Sequence, residues 1–408
     1  MASLPPEVKA TIIDLLKDTE STDASCREYG ALSLLWPDVL FRIREHRFRT
    51  VNLENQARVR LLLEIIECAP SVGTLVRKVK VDPDFLTAAR ATLYTSHSLP
   101  LLFDALSRVV SITLLDLVSS NIHLIHYLPP TVTDVYLDIS DITIDDVLTN
   151  LLTAFPAMES LTLRGNWSSR SRRKEKGKKG VVAHQGNLTQ FAALRRLDMD
   201  PDILTIPALL ERVMSQELFP KVECLIIEDA QVTSQKHVWH LDQLLRKWDA
   251  TLKDLQLLGF WGSFGSNASI TLPKALENLY FDIFLSGDEE VLDDDCISFF
   301  TRALENRCSA GRTLESLRVR VQIDWAYDVD PQDPIVRRFD KIVSAMELGV
   351  QHLDWFMRCH RQNDRLYGTY GVDEHWVYEN IFPNINSRFI QAEGRNTYGT
   401  TANVVVIN

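Results

Sequence analysis

"LKDLQL" at residues 252–257 and "LENLYF" at 276–281 follow one pattern: an apolar residue, two free positions, an apolar residue, one free position, and a last apolar residue. The final two apolar positions are two apart, so in a strand they share a face, and the residue between them points the opposite way. The same phrase stands at VRKVKV (76–81), VVSITL (109–114), VTDVYL (132–137), MESLTL (158–163), LRRLDM (194–199), VECLII (222–227) and LESLRV (314–319). Successive copies start 23 to 38 residues apart, a spacing that varies while the phrase is kept. Self-similarity of this kind predicts one supersecondary unit per copy, stacked in a row.

Between the phrases lie stretches with the 3.6-residue periodicity of helices, among them VRLLLEIIECA (59–69), LPLLFDALSRV (99–109), HLDQLLRKW (240–248) and CISFFTRALENRC (296–308). Strand and helix therefore alternate, which is the order of an α/β fold. Two architectures share that order, a solenoid and a doubly wound sheet. The recurrence of one phrase at strand after strand, with no glycine-rich phosphate loop after the first, favours the solenoid.

The phrase resembles the Leu-x-x-Leu-x-Leu signature of leucine-rich repeats, and the resemblance covers roughly residues 56 to 325. It implies an irregular leucine-rich-repeat solenoid over residues 53–325, with parallel strands on one face and helices on the other. The asparagine or cysteine that usually follows the phrase in that family is largely missing here, which implies less uniform loops. The residue between the last two apolar positions then faces the open side of the sheet, giving the row Lys80, Thr113, Tyr136, Thr162, Asp198, Ile226, Gln256, Tyr280 and Arg318. Tyr136, Tyr280 and Arg318 are the candidate target-binding residues, because exposed tyrosine and arginine are enriched where binding energy concentrates.

The amino-terminal stretch SLPPEVKATIIDLL (3–16) is amphipathic, with Val8, Ile12, Leu15 and Leu16 on one helical face and Lys9, Asp14 and Lys17 assigned to the other. Pro6 and Glu7 suit a first helical turn. Together with Ala31-Leu32-Ser33, Trp36 and His46-Arg47-Phe48-Arg49, the Leu4-Pro5 step and this helix resemble an F-box joined directly to leucine-rich repeats. The family resemblance implies a small all-α module at residues 1–52 that docks a Skp-type adaptor of a cullin-type ubiquitin ligase through Leu4, Pro5, Val8, Ile12 and Leu16. The other reading of this segment is a cap over the apolar end of the first repeat. From residue 326 the phrase ceases, and PIVRRFDKIVSAMELGVQHLDWFMRCHRQ has helical periodicity, so 326–408 is expected to be a helical carboxy-terminal cap and tail, with Tyr378 and Phe382 covering the last repeat.

A length of 408 residues with 45% apolar composition supports a substantial core. The net charge of −11 disfavours nucleic acid as the main partner. Neither a secretory signal nor a run of some 20 apolar residues is present, so no membrane association is expected. The six cysteines are scattered, as in a cytoplasmic or nuclear protein. RSRRKEKGKKG (170–180) reads as a solvated insertion, and the acidic stretch GDEEVLDDDCISFF (287–300) lacks the ligand spacing of a calcium loop. No nucleophile elbow, P-loop, HExxH or zinc-finger spacing occurs. The expectation is therefore a non-catalytic substrate-recognition subunit without cofactor, monomeric outside its complex, holding a Skp-type adaptor at one end and an unidentified target protein on the repeats. The alternative is a repeat scaffold with no ubiquitin-ligase association.

Overall fold

A computed structural model describes residues 4–16, 31–32, 34–82, 97–118, 122–142, 147–148, 150–151, 154–167, 191–200, 213–214, 218–228, 235–259, 268–285, 294–323, 334–344, 350, 352–359, 361–364, 368–371, 379, 382–385 and 402–405. The chain divides into two compact units, 1–193 and 194–408.

In the first unit, helix α1 (Pro6–Leu16), a 3₁₀ turn (Pro37–Val39) and helix α2 (Leu40–Arg49) precede strand β1 (Thr50–Leu53). Helix α3 (Gln56–Cys68), β2 (Lys78–Val81), α4 (Ser98–Ala105), β3 (Ser111–Leu117), β4 (Asp134–Ile142) and β5 (Ser160–Trp167) follow. The five strands pair in chain order and all run parallel. The second unit has β6 (Arg196–Met199), β7 (Cys224–Ile227), α5 (Gln235–Lys247), β8 (Asp254–Leu257), β9 (Asn278–Leu285), α6 (Asp294–Ser309), β10 (Ser316–Ile323), α7 (Pro334–Ser344) and β11 (His352–Cys359). These six strands are likewise parallel and in chain order. The short pair β12 (Arg361–Asp364) and β13 (Gly368–Gly371) forms a separate antiparallel ribbon, while β14 (Ala402–Val405), in the tail, pairs antiparallel with β11.

Every one of the nine phrases forms a strand, and each of its three apolar positions is at most 3% exposed. Burial at about 2 kcal/mol for each such side chain is what fixes the register, since a slip of one residue would turn the whole set to water. In the second unit this apolar face meets the helices through stacked aromatics. Phe281 lies 4.1 Å from Phe300 of α6, and Phe339 of α7 is placed edge-on at 6.3 Å.

Two further strands carry the same apolar spacing outside the nine copies, so the phrase does not cease at residue 326. Phe48-Arg49-Thr50-Val51-Asn52-Leu53 supplies β1, in register with β2 from Thr50 opposite Lys78 to Leu53 opposite Val81. Val350-Gln351-His352-Leu353-Asp354-Trp355 supplies β11, in register with β10. The parallel array therefore begins inside the segment read as the amino-terminal module and runs past residue 325 into the segment read as a helical cap. Among the described residues that segment opens with helix α7 and then returns to strand, because Leu353 and Trp355 bury like the phrases before them. Phe382 covers this last parallel strand, with its ring 5.1 Å from Trp355. Tyr378 and the basic run at 170–180 lie outside the described residues, as do residues 287–293 of the acidic stretch.

The loops are closed by side chains reaching from the helices. Arg307, on α6 and only 4% exposed, donates to the carbonyls of Pro273 (2.7 Å), Leu276 (2.5 Å) and Thr313 (2.6 Å). Desolvation draws its pKa down to about 10, and it stays a cation at neutral pH. Replacing it with methionine would leave these carbonyls without their donor. Arg307→Met is expected to cost about 3 kcal/mol, read as a lower urea midpoint for the whole chain.

Candidate interaction surfaces

At the amino terminus, Ile13, Val39 and Ile43 are buried together, with Leu32 and Trp36 packed against them. The polar side of this small core is pinned by two ion-pair sets. Asp14 accepts from Arg42 Nε (2.9 Å) and Nη2 (3.1 Å), and His46 Nε2 lies 2.7 Å from it. The bonds from Arg42 hold the Asp14 carboxyl below its usual pKa. Lys9, assigned by periodicity to the solvent side, is instead buried, its ammonium 2.8 Å from Asp38 Oδ2. One lysine can bury its stem in this way because its charge reaches a carboxylate at the surface.

The residues read as adaptor-binding fall into three groups. Leu4 and Val8 are exposed, at 44% and 43%, and Pro5 is exposed beside them. Ile12 is half-buried, and the side chain of Leu16 lies outside the described residues. Three apolar side chains that sequence reasoning did not select are more exposed than Leu4 and Val8: Leu34 at 86%, Leu35 at 69% and Phe41 at 68%. Their signal was the run Leu34-Leu35 beside Trp36, too many apolar residues for so small a core to enclose.

On the sheet, the row read from the phrase is in strict register. Asn52, Lys80, Thr113, Tyr136 and Thr162 are successive partners in the first unit. Asp198, Ile226, Gln256, Tyr280, Arg318 and Asp354 are successive partners in the second. The expectation that every member faces open space fails at Asp198 and Ile226, which are 7% and 2% exposed. The alternation of a strand sets which way a side chain points and does not set what lies above it. Tyr136 is half-buried in the first unit, whereas Tyr280 and Arg318 are neighbours in the second.

Around Tyr280 the open face gathers charge. The guanidinium of Arg318 stands 5.4 Å from the Tyr280 ring centre and that of Arg320 stands 5.7 Å away, within range of a cation–π attraction. Arg320 also donates to the Tyr280 hydroxyl and lies 3.4 Å from Asp282. Arg318 donates to Asp354 at 2.8 Å and 3.0 Å. Asp282 accepts the Gly259 N–H at 3.1 Å through Oδ2. Arg320, Asp282 and Asp354 were missed by the sequence reading, although each stands two residues from a row position or within the phrase at 350–355.

Burial pushes the Asp282 carboxyl above its ordinary pKa of 3.8 and the Tyr280 hydroxyl above 10.0. A carboxyl whose native pKa is raised binds its proton more tightly in the folded chain. Its contribution to stability is complete below pH 3.8 and is lost as the pH climbs through the raised value. Asp282→Asn removes this loss. The urea midpoint of the variant is expected to fall less than that of the unsubstituted chain between pH 3.8 and neutrality, in paired denaturation series.

Among the described residues no three His, Cys, Asp or Glu side chains converge as metal ligands would, and no helix is long and apolar enough to cross a membrane. No protein-family model matches the chain, and no curated protein matches it in sequence.

Proposed function

We propose that the chain is a non-catalytic substrate-recognition subunit of a cullin-type ubiquitin ligase, with an F-box-like amino-terminal module docking a Skp-type adaptor and a leucine-rich-repeat sheet presenting a target protein. The observation that carries the reading is the division of apolar side chains at the amino terminus. Ile13, Val39 and Ile43 build an internal core, while Leu4, Val8, Leu34, Leu35 and Phe41 remain in solvent. A pure end cap would turn such side chains inward, and clusters of exposed large apolar residues are a mark of protein interfaces. The in-register phrase supports the repeat half of the reading. The open-face cluster of Tyr280, Arg318 and Arg320 supports target capture there, since aromatic and arginine side chains held in place by neighbours give up little entropy on binding.

Calorimetric titration of the intact chain with a purified Skp-type adaptor tests the reading, beside a variant carrying Val8→Asp and Leu35→Asp. Both positions are exposed, so the variant is expected to fold as before. Micromolar or tighter binding that the variant weakens by about a hundredfold is the expected result. A folded chain that shows no binding leaves the alternative, a repeat scaffold outside any ubiquitin ligase.

A further inference from the structure

We propose that the amino-terminal rim of the first sheet, where β1, β2 and β3 begin, is a docking surface for an acidic polypeptide segment. The inference is independent of the adaptor reading and rests on how charge is distributed. Residues 42–80 carry nine Lys and Arg against four Asp and Glu, in a chain whose net charge is −11. The fold brings part of this excess to one edge. The Arg77 N–H donates to the Arg49 carbonyl at 2.9 Å, and the Val110 N–H donates to the Arg77 carbonyl at 2.9 Å. The strand starts are thus side by side, about 4.8 Å apart from one to the next.

Arg47, Arg49, Lys78 and Arg108 are exposed at this rim, and Arg77, half-buried, spends one N–H on the Arg108 carbonyl at 3.1 Å. Among the described residues none of these five cations has an ion-pair partner. Elsewhere the pattern is different: Arg58, Lys80, Arg195, Arg246 and Lys274 each have a carboxylate within 3.2 Å. The carboxy-terminal end of α2 supplies about half a negative charge close to Arg47 and Arg49, which leaves most of the positive charge uncompensated. Val110, 39% exposed, adds an apolar spot among the cations. Further along the rim the charge reverses. Asp134 accepts from Ser111 Oγ at 2.9 Å, and Glu159 follows at the start of β5. A bound acidic segment is thereby confined to the β1–β3 end.

Charge also decides between classes of anionic partner. A nucleic-acid duplex extends well past the roughly 8 Å over which surface charges act at physiological salt, and beyond the rim it would meet an acidic protein. A short acidic segment meets only the basic edge.

The test is fluorescence anisotropy of a labelled peptide of repeating Glu-Glu-Leu, with the intact chain, at low and at physiological salt. Binding that weakens with salt, and falls about tenfold in the variant Arg49→Ser/Lys78→Ser/Arg108→Ser, is expected. The control variant Arg58→Ser/Arg60→Ser, which removes exposed cations of α3 just past the opposite end of β1, is expected to bind as the parent does, and all three proteins to melt alike. The proposal is overturned if the peptide does not bind, if the rim variant binds undiminished, if the control loses as much, or if a DNA duplex displaces the peptide and binds more tightly through the same three residues.

Discussion

Parallel strands laid side by side in chain order impose one requirement on every repeat: the two apolar residues of each strand must face the same way as those of its neighbours. Leu255 and Leu257 stand opposite Leu279 and Phe281, which stand opposite Leu317 and Val319, and all six are at most 3% exposed. Because the backbone ladder is already fixed by hydrogen bonds, the helices between strands are free to differ in length as long as they deliver an apolar face. The loops vary and the phrase does not. Everything useful on the opposite face, including the meeting of Tyr280 with Arg318, is a by-product of that alternation.

The same logic explains what could be read without coordinates. The nine full phrases were legible because three apolar positions at fixed spacing leave little freedom. The strands at Val51 and Leu353 were harder. In the first, Phe48 belongs to the last turn of α2 and is only half-buried. In the second, the phrase is embedded in a stretch whose periodicity also suits a helix. Facing direction was legible down to the single residue, yet accessibility was not, as Asp198 and Ile226 demonstrate. Register is a property of neighbouring strands, whereas cover depends on residues far away in sequence.

The opening helix illustrates a different limit. Ile12-Ile13 and Leu15-Leu16 are adjacent pairs, and each pair spans about 100° of helix surface. A pattern that broad does not say which member faces the core. The answer is Ile13, with Ile12 half-buried and Val8 in solvent, and it follows from where Val39 and Ile43 stand rather than from the helix itself. Lys9 was misplaced for the same reason, since only the position of Asp38 makes its burial affordable.

No single side chain type serves all the described connections between strands. The chain satisfies them one at a time. Trp248 donates its indole N–H to the Phe219 carbonyl at 2.9 Å, and Asp242 accepts the Thr271 N–H at 2.7 Å. Arg307 serves three carbonyls, and Asp340, buried with its pKa raised by desolvation, accepts the N–H groups of Asn384 and Ile385 at 3.0 Å. The residues used are a tryptophan, an arginine and two aspartates, each in or directly after a helix. Spacings between 23 and 38 residues are therefore tolerated because buried backbone groups find partners locally, at the expense of a repeated sequence signal in the loops.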